Sequence, residues 1–403
     1  MFGHVTPAPP DAIFGLNDAF AKDPRPDKIN LGAGVYRDED GRTPILRVVK
    51  EAEGRILANE ASKSYLPIEG HPDYGRLVRE LLFGTDHEVL REGRAATVHT
   101  PGGTGALRVA ADLLEDIQPG ARVWLSRPTW PNHPAVFGGG TLQIAEYPYF
   151  DPETNGLDLE AMLEALGGAD PGDVVILHGC CHNPTGVDPT AEQWRRVART
   201  LAAGRLVPLV DFAYQGFADD VRRDAAWLPI LCGELPEVMV ASSFSKNFGL
   251  YNERVGALTL VTDSAPRAAA VLSRVRQVVR RNYSNPPGHG AAIVREILGD
   301  PQLRRLWLEE LAAMGGRIRG IRRQFAEGLD ARGVSLHASG NGFIDRQNGM
   351  FSYSRLGPQQ VERLRIDHGI YMVGSGRINV AGITQSNVDR LCDAIAAVGP
   401  GTP

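Results

Sequence analysis

Residues 206–214, LVPLVDFAY, join an unbroken apolar run directly to polar side chains. Two further stretches repeat this design, since residues 173–186 read DVVILHGCCHNPTG and residues 237–249 read EVMVASSFSKNFG. Strands that are apolar on both faces are typical of a parallel sheet covered by helices on each side. The three stretches therefore predict an α/β fold with a mostly parallel sheet. In such sheets, ligands bind beyond the carboxyl ends of the strands.

The alternation of strands and helices continues on both sides of these stretches. Strands are predicted at 122–126, 142–147, 173–179, 206–210, 237–242 and 255–261, and helices at 104–117, 158–167 and 190–203. Residues 301–332 predict one long helix that contains Gly315 and Gly316. Short elements at 349–355, 358–368, 377–381 and 385–397 then predict a smaller α+β domain.

A length of 403 residues is typical of two domains. We predict a large domain at 44–313 and a small C-terminal domain at 314–403. Residues 1–43 would supply an N-terminal arm and the first part of the small domain. The first dozen residues of this arm are rich in proline and predict an extended segment.

Composition restricts the possible partners. With 43 basic and 48 acidic residues and no basic tail, the chain favours neither nucleic acid nor a membrane surface. No apolar run reaches the length of about 18 residues that a membrane span needs, and the N-terminus lacks the pattern of a secretory signal. The four cysteines show no Cys-x-x-Cys spacing, so disulfides and zinc are not expected. A reducing cytoplasm fits these features.

Lys246 is the first candidate catalytic residue. A lysine at a strand end in apolar surroundings can have a lowered pKa and can form a Schiff base with a carbonyl. A lone lysine is more often a solvated surface residue. Here, however, Ser243, Ser245 and Arg254 lie nearby in sequence, and two hydroxyls with a guanidinium suit a phosphate monoester. This combination favours a catalytic lysine.

Asp211 is expected in a loop just after the very apolar strand at 206–210. A carboxylate there must be paired or hydrogen-bonded to stay charged. A helix N-cap or a structural ion pair is one interpretation. The other is an anion that faces a pyridinium nitrogen and keeps that ring electron-poor.

Two further segments carry weaker signals. The glycine-rich segment 101–106 opens a predicted helix, where free N–H groups favour an anion, although a plain capping turn would look the same. Trp130 lies between two prolines after a strand and could either join the core or stack on an aromatic ring. Cys180, Cys181 and His182 are neighbours that would point alternately to opposite sides of an extended segment, so no metal site is expected.

Together, these residues resemble the aspartate and aromatic aminotransferase branch of the fold-type I enzymes that use pyridoxal phosphate. The resemblance covers nearly the whole chain, from Asp11 to about Val398. It is carried by the motifs KINLGAGVYRDEDGRTPIL, SYLPIEG, TPGGTGALR, TWPNH, HGCCHNPTG, DFAYQGF, SSFSKNFGLYNERVG, RRNYSNPPGHGA, QNGMFSYS and SGRINVAG.

The resemblance implies a role for each matching residue around the cofactor. Lys246 would bind pyridoxal phosphate covalently and then carry the proton between the substrate Cα and C4′ of the cofactor. Asp211 would pair with the pyridine nitrogen, while Tyr214 and Asn183 would hydrogen-bond the phenolic oxygen. Trp130 would stack on the ring and line the substrate site. The phosphate would be held by Gly103, Thr104, Ser243, Ser245, Arg254 and, from the partner subunit, Tyr65.

The resemblance also implies a substrate site and a homodimer. Arg377 would bind the substrate α-carboxylate with help from Asn183 and the backbone of Gly34. Arg280 of a partner subunit would pair with a side-chain carboxylate. If Tyr65 and Arg280 both serve a neighbouring active site, then the functional unit is a dimer.

The residues that distinguish aspartate-selective from aromatic-accepting members of the family point in both directions. Arg280 favours dicarboxylates, and Thr43, Thr104 and Asn285 resemble the aspartate-selective pattern. Ser64, Pro67 and Arg37 resemble aromatic-accepting relatives instead. We predict transfer of an amino group from aspartate to 2-oxoglutarate. The alternatives are an aromatic aminotransferase and, less favoured, a lyase or decarboxylase on the same fold.

Overall fold

The computed structural model describes residues 1–7 and 14–399. Of the predicted N-terminal arm, residues 8–13 lie outside the described residues. The strands are β1 (Ile29–Asn30), β2 (Ala95–Pro101), β3 (Arg122–Arg127), β4 (Gln143–Pro148), β5 (Phe150–Asp151), β6 (Gly156–Leu157), β7 (Val174–His178), β8 (Val207–Phe212), β9 (Val238–Ser243), β10 (Val255–Val261), β11 (Phe351–Tyr353), β12 (Ile370–Tyr371) and β13 (Arg377–Asn379).

Helices occur before, between and after these strands. They are α1 (Phe14–Lys22), α2 (Arg47–Asn59), α3 (Pro72–Phe83), α4 (Glu88–Arg91), α5 (Gly102–Ile117), α6 (His133–Phe137), α7 (Leu159–Gly167), α8 (Ala191–Gly204), α9 (Trp227–Glu234), α10 (Ala265–Asn282), α11 (His289–Gly299), α12 (Pro301–Asp330), α13 (Gly342–Arg346), α14 (Pro358–His368) and α15 (Val388–Val398). Among the described residues, none of these helices is both long and apolar enough to cross a membrane.

The described residues divide into two compact units, one within 44–316 and the other within 1–43 and 317–403. The larger unit contains a seven-stranded sheet in the order β2-β10-β9-β8-β7-β3-β4. Pairing is antiparallel on both sides of β10 and parallel between the other neighbours. The sheet is therefore mostly parallel, and β10 alone runs in the opposite direction.

The central strands of this sheet are buried on both faces, which explains their continuous apolar sequences. Every residue of β7, β9 and β10 is buried. Helix α5 buries an apolar face against the sheet that includes Leu107, Leu113 and Leu114. At roughly 1.5–3 kcal/mol for each large apolar side chain removed from water, this packing is a main source of stability for the sheet.

The smaller unit is built on two-stranded sheets and the C-terminal half of α12. Strand β1 pairs parallel with β12, and β11 pairs antiparallel with β13. Buried Ile318, Ile321, Phe325 and Leu329 recur on one face of α12 at helical spacing. This apolar stripe holds the helix in its unit.

The predicted α/β fold class is confirmed, and the six predicted strands and the long helix occur close to their predicted bounds. One strand of the sheet was not predicted, and one prediction is wrong. Strand β2 was not predicted, because its sequence AATVHTP reads as polar although its interior is buried. The prediction that Asp211 lies in a loop is wrong, since β8 continues to Phe212 and Asp211 pairs with His178 of β7.

His99 in β2 gives the larger unit a dependence on pH. Its ring is fully buried, and neither ring nitrogen has a hydrogen-bond partner among the described residues. Burial lowers the pKa of His99 from 6.5 to about 3. The folded chain therefore keeps this ring neutral at a pH where the unfolded chain protonates it, so the neutral histidine favours the folded state above pH 6.5 and this stability is lost as the pH falls below that value.

We expect wild-type protein to lose about 2 kcal/mol more of its apparent free energy of unfolding than His99→Gln between pH 7 and pH 5. The amide of glutamine does not titrate. If the substitution changes the free energy of unfolding equally at both pH values, that change cancels when the pH dependence of the two proteins is compared. Urea unfolding across this pH range measures it. Parallel pH profiles for the two proteins would contradict the argument.

Candidate active site

The carboxyl edge of the sheet gathers most of the residues that the sequence singled out in the larger unit. Because β10 is antiparallel, its first residue, Val255, lies beside Pro101 at the end of β2, and Gly256 lies beside Ser243 at the end of β9. Arg254 therefore comes to the same edge as the strand ends. Loops that follow β3, β7, β8 and β9 bring Trp130, Asn183, Tyr214, Ser245 and Lys246 to this edge.

An anion cradle lies where β2, β9 and β10 meet. Helix α5 begins at Gly102, so the first N–H groups of a 16-residue helix have no partner within it. The Ser243 and Ser245 hydroxyls are 3.2 Å apart, and Arg254 Nη1 donates to Ser245 Oγ at 3.3 Å. Helix N–H groups, two hydroxyls and a guanidinium are the donors that a phosphate monoester needs.

Glycines make this cradle possible. A Cβ on Gly102, whose φ is +73°, would stand 2.4 Å from Arg254 Nη2, and a Cβ on Gly103 would stand 2.9 Å from the Ser243 Cβ. A Cβ on Gly256 would stand 2.3 Å from the Gly102 carbonyl carbon. Side chains at these positions would push the helix start away from the serines and the arginine.

Lys246 follows β9 and is half-buried beside Tyr214. Its Nζ lies 4.9 Å from the centre of the Tyr214 ring. Tyr214 and Asn183 are buried, whereas Trp130 is half-buried and packs against the hydrophobic core of the larger unit. An amine, a phenol and an amide thus lie at the same edge of the sheet as the anion cradle.

Asp211 at the end of β8 is buried and is bound by a histidine. Its Oδ2 accepts a hydrogen bond from His133 Nε2 at 3.2 Å. Burial raises the pKa of Asp211, but the hydrogen bond and charge of His133 and the charge of Lys246 outweigh it, so the net pKa lies below the usual value. This carboxylate stays ionised at neutral pH and can stabilise a cation.

A polar network continues behind His133. His133 Nδ1 and Thr129 Oγ1 are 2.7 Å apart, and Thr129 also approaches His178 Nε2 at 3.4 Å. Burial lowers the pKa of His178 to about 3, so its ring is neutral at physiological pH. Trp130 meets the edge of His133 at 5.3 Å between ring centres. The network fixes the orientation of the ring that binds Asp211.

The loop that carries Tyr214 is held by a second buried carboxylate. Asp224 accepts backbone N–H groups from Gly216 at 2.7 Å, Ala218 at 3.1 Å and Asp219 at 2.9 Å. Cys180 Sγ, from the loop after β7, lies 3.7 Å from Asp224 Oδ2. Burial raises the pKa of Asp224 to about 6, although these backbone bonds oppose the shift. Asp224 therefore fastens two loops that carry candidate residues.

The smaller unit holds a cationic site around Arg377. Arg377 is 3% exposed, and its Nη2 donates to the Gly32 carbonyl at 2.8 Å. Its guanidinium carbon lies 4.3 Å from the centre of the Phe351 ring. A Cβ on Gly34 would stand 3.3 Å from Phe351 Cζ, so the backbone at Gly34 closely approaches this ring. A guanidinium held in this way suits a carboxylate.

Asn379, at the end of the strand that begins with Arg377, shapes the same site. Its Nδ2 donates to the carbonyls of Ala33 at 2.5 Å and Val35 at 2.8 Å. These bonds fix the chain on both sides of Gly34. Asn379 was not singled out in the sequence, although it lies within the motif SGRINVAG.

Tyr65 and Arg280 both lie on the surface of this chain. The Tyr65 side chain is 94% exposed, and Arg280 is also exposed, with a hydrogen bond to Ser284 Oγ. Their predicted roles belong to a partner subunit. Among the described residues, no group of His, Cys, Asp and Glu side chains could hold a metal ion.

His133 and Asp224 are further site residues that the sequence reasoning did not select. His133 lies inside the quoted motif TWPNH, but only the fold brings it to Asp211, 78 residues further along the chain. Asp224 lies close in sequence to DFAYQGF and shows no distinctive spacing. Position inside a recognised motif was the available signal for His133, and proximity to a motif was the available signal for Asp224.

Comparison with known proteins identifies the family of the chain. The model of "Aminotransferase class I and II" matches residues 26–395. The chain belongs to this aminotransferase family. The sequence resemblance to the aspartate and aromatic branch is confirmed, and the aminotransferase is an enzyme of fold type I.

Individual relatives cover the aminotransferase from end to end. It is 50% identical to an aspartate aminotransferase of Escherichia coli, over 99% of this chain and 100% of the relative. It is 47% identical to an aromatic-amino-acid aminotransferase of Pseudomonas aeruginosa, over 98% of each chain. A solved aromatic-amino-acid aminotransferase of Burkholderia pseudomallei, covalently bound to pyridoxal phosphate, matches with a TM-score of 0.96 at 48% identity over 99% of each chain.

Proposed function

We propose that this aminotransferase transfers the amino group from L-aspartate to 2-oxoglutarate by a ping-pong mechanism with pyridoxal phosphate. The observation that carries the proposal is the convergence of Lys246, Tyr214 and ionised Asp211 at the edge that also carries the anion cradle. The E. coli relative, at 50% identity, is named an aspartate aminotransferase. A cytoplasmic location is part of this proposal.

The donors of the larger unit fit the cofactor. The start of α5 at Gly103 and Thr104, the two serine hydroxyls and Arg254 would hold its phosphate. Asp211 would hold the protonated ring nitrogen, while Tyr214 and Asn183 would bind the phenolic oxygen and Trp130 would cover the ring face. When bound, pyridoxal phosphate supplies an electron-accepting ring that stabilises the negative charge left when a proton leaves the substrate Cα.

Lys246 would perform the proton transfer. Its ε-amine would first hold the cofactor covalently and would be released when the substrate amine takes its place. The free amine, when neutral, can accept the Cα proton and return it at C4′ of the cofactor. Tyr214, whose ring lies 4.9 Å from Nζ, would help to hold the amine in position.

Substrate recognition would rest on two arginines. Arg377 would bind the α-carboxylate, with Asn183 and the backbone at Gly34 assisting. Arg280, which is exposed in this chain, would bind the side-chain carboxylate at the active site of a second subunit, where Tyr65 would also contact the cofactor phosphate. The proposed functional unit is therefore a homodimer.

Aromatic transamination is the second candidate, because a relative with that name is 47% identical to the chain. A dicarboxylate gains a charge-assisted bidentate pair with Arg280 that an aromatic side chain does not. We expect kcat/KM for aspartate to exceed that for phenylalanine by about tenfold or more, since one such pair is worth about 1.5–3 kcal/mol. Initial rates with 2-oxoglutarate and a panel of amino donors measure the ratio, and a higher value for phenylalanine would overturn the choice of aspartate.

A further inference from the structure

Arg322 is a fully buried arginine whose hydrogen bonds converge on one short segment of the smaller unit. It lies on α12 and is 1% exposed. Its Nη1 donates to the Ile344 carbonyl at 3.0 Å, and its Nη2 donates to the Gly349 carbonyl at 2.8 Å and to the Phe351 carbonyl. Burying a guanidinium is costly unless its donors are used. This side chain therefore ties the residues before β11 firmly to the helix.

The segment that Arg322 holds leads directly to the carboxylate site. Phe351 is the first residue of β11, which pairs antiparallel with β13, so that Phe351 lies opposite Asn379 and Tyr353 opposite Arg377. The Val380 N–H donates to the Met350 carbonyl at 2.7 Å and extends the pairing by one bond. The backbone position of Phe351 thus sets the register of the strand that carries Arg377.

The Phe351 side chain also contacts the guanidinium itself. Arg377 stacks on the Phe351 ring at 4.3 Å and donates to the Gly32 carbonyl at 2.8 Å. The ring limits the plane of the guanidinium, while the carbonyl limits its rotation. A bidentate arginine–carboxylate pair requires this plane to be fixed, because two parallel N–H groups must face two oxygens.

We propose that Arg322 is a positioning residue for substrate binding, which acts through Phe351 to fix the plane of the Arg377 guanidinium. The inference rests on the proposed function, in which Arg377 binds the α-carboxylate. A lysine at 322 would keep the charge, but its single ammonium could not span carbonyls from Ile344 to Phe351 as the guanidinium fork does. Phe351 would then gain freedom, and Arg377 with it.

The test compares Arg322→Lys with Arg323→Lys, an exposed neighbour on the same helix. For Arg322→Lys, we expect KM to rise about tenfold, and by the same factor for aspartate, glutamate and 2-oxoglutarate, since all share the α-carboxylate. We expect kcat to change less than about threefold and the cofactor absorbance and affinity to stay the same. Arg323→Lys should match the wild type. Unchanged KM values in a less stable Arg322→Lys protein would overturn the proposal.

Phe351→Leu tests the same proposal if Arg322→Lys does not fold. It removes the ring beside Arg377 but leaves the Phe351 carbonyl that Arg322 binds, and it should raise the same KM values. An unchanged KM in Phe351→Leu would overturn the proposal. Where both variants fold, their effects on KM should be less than additive, because both act through one contact, and full additivity would also overturn it.

Arg377→Gln separates this inference from the proposed function. If Arg377→Gln leaves KM unchanged, then Arg377 does not bind the α-carboxylate and the proposed substrate site is wrong. If Arg377→Gln raises KM strongly while Arg322→Lys does not, the proposed substrate site is supported and only the proposed positioning role of Arg322 is wrong.

Discussion

Replacing Lys246 with alanine is expected to lower kcat for transfer from aspartate to 2-oxoglutarate by about 10⁴-fold or more, while the cofactor remains partly bound. A positioned general acid–base group increases the reaction rate by about 10²–10⁴-fold. The variant would also lack the amine that holds the cofactor covalently. The anion cradle at Ser243, Ser245 and Arg254 is intact in this variant, which is why some cofactor affinity should remain.

Steady-state and single-turnover rates of Lys246→Ala measure this loss, and cofactor binding can be followed by absorbance. Lys50→Ala is the control, because Lys50 is an exposed lysine in an ion pair with Glu53. A near-normal rate for Lys246→Ala would remove the proposed role. So would borohydride reduction of the wild-type enzyme that leaves no pyridoxyl group on Lys246.

Asp211→Asn is expected to lower kcat by about 10²–10³-fold with little change in fold. Removing one group that stabilises charge in the transition state raises the barrier by about 2.7–4 kcal/mol, and each 1.4 kcal/mol in the barrier is about tenfold in rate. The neutral amide cannot keep the ring nitrogen of the cofactor protonated, so the ring accepts electrons less readily when the Cα proton leaves.

Single-turnover rates with aspartate measure the effect of Asp211→Asn directly. Asp219→Asn, an exposed acid on the loop after β8, is the matched control and should retain wild-type activity. The affinity of Asp211→Asn for the cofactor should fall much less than its rate, because the phosphate donors are unchanged. A rate loss below about tenfold would contradict a role in sustaining the electron-poor ring.

Continuous apolar runs were enough to predict the sheet, because strands buried on both faces carry no competing polar pattern. The sequence pattern does not predict strand β2, because Thr97 and His99 interrupt its apolar residues. In the structure, Thr97 satisfies its hydroxyl on Thr259 of β10 at 2.9 Å, a partner that no local pattern indicates. Asp211 was expected beyond the end of its strand for a similar reason, since this buried acid in β8 is bound by His133, which is 78 residues away in the sequence.

The candidate site shows the same division between local and distant information. Lys246, Ser243, Ser245 and Arg254 lie close together in the sequence, so their chemistry could be recognised directly. His133 and Asn379 act through partners that are remote in the chain, and Asn379 binds carbonyls more than 340 residues away. Motif spacing conveys neighbours along the chain, whereas these two residues depend on neighbours in space.

The reversed direction of β10 constrains how this site can change in evolution. Because β10 turns back beside β9, the single connection between them carries Lys246, the proposed cofactor-binding lysine, near its start and Arg254 of the anion cradle at its end. An insertion there would separate the two groups, whereas an insertion after β4 would leave them in place. We therefore expect the length of this connection to be invariant among active chains, while other connections are free to drift.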